Sequence, residues 1–171
     1  MPVLSYQQIK HALAWEPPLL QGYVDLETQL QPNGFDLSLA QIARFLSPGR
    51  IGPTNQERVL SRTGPLPFDS AGWLRLSLGA YLVTFNEAVH LPRHLMALGR
   101  PRSSLLRCGV TVHNAVWDAG YSGRSQALLV VYNPDGVELA RNARVIQLVF
   151  LTLGEATEVG YGGRFQGENL R

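Results

Sequence analysis

Cysteine and lysine are almost missing from this chain, which has one of each, Cys108 and Lys10. A single cysteine excludes an internal disulfide, so the fold has to rest on its apolar core. Set beside Gly109 in an apolar alternation, Cys108 is expected to be a buried structural thiol and not a nucleophile. No apolar run reaches the roughly 18 residues that a membrane helix needs, and no signal peptide is visible, so the expected compartment is the cytoplasm, with no membrane partner. Charge is scarce as well. Charged residues make up 16% of the chain, below the usual quarter, and the net charge is +2. That balance gives no electrostatic case for a nucleic-acid partner. So little charge on a 171-residue chain points instead to surface covered by identical subunits. The cations are nearly all arginine, whose planar fork suits phosphate, although genome base composition produces the same bias.

What is present reads as one domain. Ser5-Tyr6-Gln7-Gln8 is a capping box that predicts a short helix over Ser5 to Ala14, ended by Glu16-Pro17-Pro18. It belongs to an N-terminal extension over residues 1–30. From Gly34 the texture is that of strands: Phe35 to Leu39 and Trp73 to Leu78 alternate, and Leu105 to Val112, Gln126 to Tyr132 and Arg144 to Leu151 are strand-length runs. Gly/Pro turns recur between them, and one helical interruption is expected over Arg93 to Gly99, after Pro92. This pattern predicts a mainly β sandwich or barrel. Leu46 to Asp69 is loop-rich and carries little pattern. The tail, 160–171, has four glycines between Gly160 and Gly167. It reads either as a flexible flap that orders over a ligand or as a plain terminus.

Few side chains are suited to chemistry. Of the five aspartates, Asp69 and Asp135 sit in turns and Asp36 lies in an alternating strand. Asp118, between Trp117 and Gly120, either caps a turn or holds a water and takes its proton. Ser103 and Ser104, after Pro101-Arg102, make either a cap or an anion cradle of hydroxyls, backbone N–H groups and a guanidinium. His90 and His94 have zinc spacing, but Pro92 breaks the helix they would share, so no protein metal site is expected. His113 reads as an ordinary strand histidine. The glycine-rich tail lacks the Gly-Lys-Ser/Thr of a P-loop.

Five segments in order resemble the motifs of the trimeric dUTPase and dCTP deaminase superfamily. They are Gly34-Phe35-Asp36-Leu37, Pro101 to Leu105, Trp117 to Gly123, Arg144 to Leu148 and the Gly160 to Gly167 tail. The N-terminal helix, Gln31-Pro32 and the Arg102 to Arg107 run are similar to the deaminase branch. The deaminases, however, use a glutamate where this chain has Val130, and valine cannot shuttle a proton to a cytosine amino group. The hairpin from Asn114 to Asp118 is about two residues shorter than usual. The Trp-Asp-x-Gly-Tyr-x-Gly-Arg form resembles archaeal-type dUTPases, which share the deaminase-like body.

The resemblance implies a distorted, jelly-roll-like β-barrel that assembles as a homotrimer with shared active sites. It implies hydrolysis of dUTP to dUMP and pyrophosphate, with Mg²⁺ held mainly by phosphates and water. Asp118 would activate the water, while Ser103 and Arg102 would stabilise the leaving oxygen. Ser104, Arg107 and Gln166 would bind substrate, Gln147 and Arg164 would contact its phosphates, and Phe165 would stack on the base. Tyr121 would lie under the deoxyribose, and the backbone of Asn114, Ala115 and Val116 would pair with the uracil edge. Two other readings stay open: a dCTP deaminase, alone or bifunctional, with Glu138 in place of the missing acid, and a non-catalytic nucleotide sensor.

Overall fold

The computed structural model describes residues 2–170. The chain begins with α1 (Tyr6–Ala12), β1 (Leu20–Gln21), α2 (Leu26–Gln29), β2 (Leu30–Gln31) and the long β3 (Gly34–Phe45). After an excursion come β4 (Thr63–Leu66), β5 (Trp73–Leu76), β6 (Gly79–Phe85), β7 (Ala88–His90) and β8 (Leu95–Pro101). A short α3 (Ser103–Arg107) leads into β9 (Val110–His113), β10 (Ser122–Gly123), β11 (Gln126–Val131), β12 (Val137–Ala140) and β13 (Arg144–Thr152).

The main sheet is antiparallel, in the order β8-β13-β3-β6-β11-β9, with β2 and β4 also paired to β3. β3 makes the curvature possible. Its first half pairs with β13 and its second with β6 and β4, with register shifts at Arg144/Ile146 and Leu39/Gln41. The outer edges then nearly meet, because Ala97 of β8 and Trp117 beyond β9 exchange both backbone hydrogen bonds at 3.0 and 3.1 Å. A sheet bent this far is barrel-like, as expected. Its interior is filled by Phe35, Phe85 and Phe150 with Leu37, Ile42, Leu129 and Leu148, all fully buried. The capping box forms as expected, with Ser5 Oγ accepting from Gln8 N–H and Gln8 Oε1 from Ser5 N–H, and α1 sends Ile9 and Ala12 into the same core.

Three local expectations are overturned. Arg93 to Gly99 is not helical, because Leu95, Ala97 and Gly99 face inward from β8 while its backbone pairs along β13. Tertiary pairing outweighs a weak local preference there. Leu105 to Val112 is not one strand either. Arg102 caps α3, and Gly109, at φ +72°, turns the chain into β9. Cys108 consequently sits exposed at the end of α3 and is not buried.

A buried polar knot anchors the entry to this sheet. Glu87, fully buried, accepts hydrogen bonds from Ser38 N–H (2.9 Å), Ser38 Oγ (2.6 Å) and Gln29 Nε2 (2.6 Å). Desolvation pushes its carboxyl above the ordinary range, and these donors pull against that.

Candidate active site

Asp118 sits on a turn that its neighbours hold rigidly. Trp117 is buried, its indole N–H donating to Ser125 Oγ at 2.9 Å, and Gly120 N–H donates to Leu91 O at 3.0 Å. Gly120 is left-handed, at φ +85°, and a Cβ there would lie 2.9 Å from Gly160 Cα, so only glycine lets the tail lie this close. The Asp118 carboxylate itself is exposed and takes no hydrogen bond or ion pair among the described residues. It borders a cavity of about 760 Å³ whose lining also includes Ala115, Val116, Tyr121 and Phe165. Five of the expected site residues are thus gathered at one place.

The tail is fastened over this turn. Tyr161 N–H donates to Ala119 O at 2.8 Å, and Gly167 N–H to Ser122 O at 2.7 Å. The Gln166 amide spans Gly120 O and Ser122 N–H at 3.0 Å each, so that side chain is engaged with backbone. Tyr121, 5% exposed, donates its hydroxyl to Glu168 Oε1 at 2.9 Å. Burial first, and then the neighbouring carboxylate, push the Tyr121 phenol far above its ordinary value, so it acts as a neutral donor. Burial likewise raises Glu168, and the Tyr121 hydrogen bond opposes that shift. Arg164 points into solvent with no partner among the described residues.

A second group of expected residues lies elsewhere. Ser103 and Ser104 are exposed on the first turn of α3, and Arg107 Nη1 donates to Ser103 O at 3.0 Å. Arg102 is held at the head of that turn by Asp36, whose Oδ2 lies 3.0 Å from Arg102 Nε and 3.3 Å from Arg144 Nη1. Arg144 also donates to Thr28 O, and Gln147 faces Asp36 across the β3–β13 pair. Asp36 is 1% exposed. Burial raises its carboxyl, and the two guanidiniums pull it back down.

These two groups do not meet within one chain. Trp117 is paired to Ala97, and four further residues of β8 lead to Pro101. At strand rise that is about 13 Å before Arg102 and Ser103 are reached. No arginine or lysine among the described residues lines the cavity at Asp118. Among the described residues, no three His, Cys, Asp or Glu side chains gather as a metal site. His90 is engaged with Ser122 Oγ at 2.6 Å, and His94 packs against Trp15.

Sequence reasoning missed the Asp36–Arg102–Arg144 cluster, Glu168, and the part played by residues 46–62, whose Ile51, Val59 and Leu60 line the cavity. An aspartate between Phe35 and Leu37 in an inward-facing run was the available signal for the first. Val130, at the position of the deaminase glutamate, pairs with Ala80 and Thr111 in mid-sheet. Glu138 is exposed on the separate β5–β12 pair and is absent from the cavity lining.

Comparison with known proteins agrees with this architecture. A Methanosarcina mazei protein named probable deoxyuridine 5'-triphosphate nucleotidohydrolase is 48% identical over 99% of both chains. An Archaeoglobus fulgidus protein of the same name is 46% identical over 99% of both. Among solved structures, the Agrobacterium tumefaciens 2'-deoxycytidine 5'-triphosphate deaminase shares the fold, with a TM-score of 0.67 and 23% identity, covering 89% of this chain and 48% of its own. The native EIAV dUTPase aligns with a TM-score of 0.51 and 14% identity over 85% of this chain and 96% of its own. The dCTP deaminase-like family model matches residues 3–153, from the strand bridge at Val3 to the end of β13. The bent sheet, the α3 turn and the Asp118 hairpin all fall within that match, and the chain belongs to the dCTP deaminase-like family.

Proposed function

We propose that this chain is a dUTP diphosphatase, hydrolysing dUTP to dUMP and pyrophosphate. Relatives of matching length at 44–48% identity are named probable deoxyuridine 5'-triphosphate nucleotidohydrolase, which supports this reading. The observation that carries the reading is the free Asp118 carboxylate at the mouth of a cavity whose walls suit a nucleoside. Asp118 takes a proton from a water as that water's oxygen attacks the α-phosphorus. The bond to the bridging oxygen breaks, and pyrophosphate leaves. A general base in this role contributes about 10²–10⁴-fold. Tyr121 lies under the sugar, the Asn114–Val116 backbone meets the uracil edge, and Phe165 covers the base.

Because no cation among the described residues lines the cavity, the triphosphate has to reach arginines beyond it. Arg102, Ser103, Ser104, Arg107 and Gln147 supply that second half from a neighbouring copy, and Arg164 reaches in from the tail. The assembly is a homotrimer with shared sites. Asp36 would keep the Arg102 fork aimed outward, and Ser103 would donate to the bridging oxygen as its charge grows, a kind of contact that costs about 3–4 kcal/mol when removed. The donor set also fits Mg²⁺ carried by the substrate. Asp36 is tied to two guanidiniums and Glu168 to Tyr121, and Asp118 is kept as the base, which leaves the phosphates and water as the hard oxygen donors. Mg²⁺ held there would neutralise phosphate charge.

The test is a two-channel assay with Mg²⁺ that offers dUTP, dCTP, dTTP and UTP separately and reads pyrophosphate and ammonia. Pyrophosphate from dUTP without ammonia is the expected result. Ammonia from dCTP would move the reading to deamination, the activity in the name of the Agrobacterium structure. Binding without either product would make the chain a nucleotide sensor.

A further inference from the structure

Five large apolar side chains stand in solvent around the cavity: Phe45 at 40% exposed, Ile51 at 77%, Val59 at 57%, Leu60 at 44% and Val116 at 49%. Three of them come from the excursion between β3 and β4, residues 46–62. That excursion is a small stapled lobe. Arg50 and Val59 exchange both backbone hydrogen bonds at 2.8 Å, and Leu46 N–H donates to Arg62 O at 2.8 Å. Thr54 and Glu57 close a capping box on the 3₁₀ turn at Asn55–Glu57. Arg58 lies over the Phe165 ring, 5.7 Å from its centre, and so joins the lobe to the tail. A lobe tied in this way holds its side chains at defined positions.

The chemistry of this wall selects what it meets. Ile51, Val59 and Leu60 offer neither charge nor hydrogen bonds, and among the described residues no arginine or lysine lines the cavity, so a phosphate finds no countercharge there. The least polar edge of a pyrimidine nucleotide is the C5–C6 edge of its base. The polar edge of that base is already assigned to the hairpin backbone beside Val116.

We propose that the 46–62 lobe is a specificity-determining wall, with Ile51, Val59 and Leu60 closing on the C5 side of the base and rejecting bulk there. The proposal rests on the dUTP reading and adds a second reader of the base to the hairpin.

The test measures kcat/KM for dUTP and dTTP in the parent chain, Ile51→Ala, the Ile51→Ala/Leu60→Ala pair and the bulkier Ile51→Phe. One methyl group in a pocket is worth about 10–200-fold in discrimination. The dTTP-to-dUTP ratio is expected to rise about tenfold or more in the double variant, to rise less in Ile51→Ala, and to fall below the parent value in Ile51→Phe. Circular dichroism and melting curves verify folding, and Ile51→Phe supplies an independent readout should the double variant misfold. A ratio unchanged across folded variants, or a loss shared equally by both substrates, overturns the wall. A parent chain that releases no pyrophosphate from dUTP overturns the underlying reading instead, before any variant is made.

Discussion

Asp118 and Asp36 carry the same side chain in opposite settings. Asp118 is exposed and, among the described residues, unpaired, beside a largely apolar cavity that none of their cations lines. Asp36 is buried under two guanidiniums, at the edge that presents Arg102 and Ser103. A carboxylate left without partners keeps its lone pairs for a substrate or a water, whereas one whose Oδ2 is shared by two guanidiniums holds other groups in place. The contrast fits the proposal that chemistry belongs to the Asp118 cavity and positioning to the Asp36 edge. On that proposal neither half would suffice as a triphosphate site: among the described residues one lacks positive charge in its lining and the other lacks a free carboxylate.

The sharpest way to break this contrast is Asp118→Asn, expected to lower kcat by about 10²–10⁴-fold while nucleotide binding and melting behaviour persist. Parent-like turnover in the folded variant would remove Asp118 as the base. Mixing Asp118→Asn with Ser103→Ala chains, denatured and refolded together, should regain activity that neither has alone, since some sites would then combine an intact base with an intact serine. A mixture as inactive as its components would place both halves of the site in one chain.

Deleting the chain from Gly160 removes the contacts of Tyr161, Gln166 and Glu168 with the Asp118 turn, and kcat/KM should fall about 10²-fold with the core intact. Unchanged kinetics would reduce the tail to a plain terminus. Asp36→Ala leaves Arg102 and Arg144 facing each other without a counterion, and unfolding by urea should show a loss of about 2–3 kcal/mol. That is less than for a fully buried pair, because both arginine side chains keep 30% exposure.

The smallest expected effect concerns Glu87. Burial raises its carboxyl in the folded state, so its contribution is fully present below the ordinary value of 4.5 and is lost as pH climbs through the raised one. Glu87→Gln loses about 1 kcal/mol of hydrogen bonding at low pH, and the gap to the parent should narrow as pH rises from about 4 to 8 in urea titrations. A gap constant with pH would show that Glu87 binds its proton equally well in both states.

The parts of this molecule legible from sequence were those whose pattern is local. The capping box at Ser5 and Gln8, the alternation in β3 and the strand-length apolar runs of β11 and β13 all declare themselves within a few residues. So does the Trp117–Gly123 turn, whose order of residues led to Asp118. β8 was hidden because Leu95-Met96-Ala97-Leu98 is apolar without alternation and follows a proline, a pattern shared by helix and buried strand. Asp36 and Arg144 lie 108 residues apart, and no local signal couples them. The 46–62 lobe was illegible for a different reason. Its apolar residues serve a cavity and not the core, so they follow neither helical nor strand period.

The seam between Ala97 and Trp117 gives β8 a second meaning. One end of that strand is locked to the turn that carries Asp118, and the other runs directly into Arg102 and Ser103. In a trimer whose sites are shared, each β8 would be a strut with its two ends in different active sites. A strand held in this way fixes the spacing between the Asp118 turn and the two serines, so its register alone would set how neighbouring sites lie relative to one another.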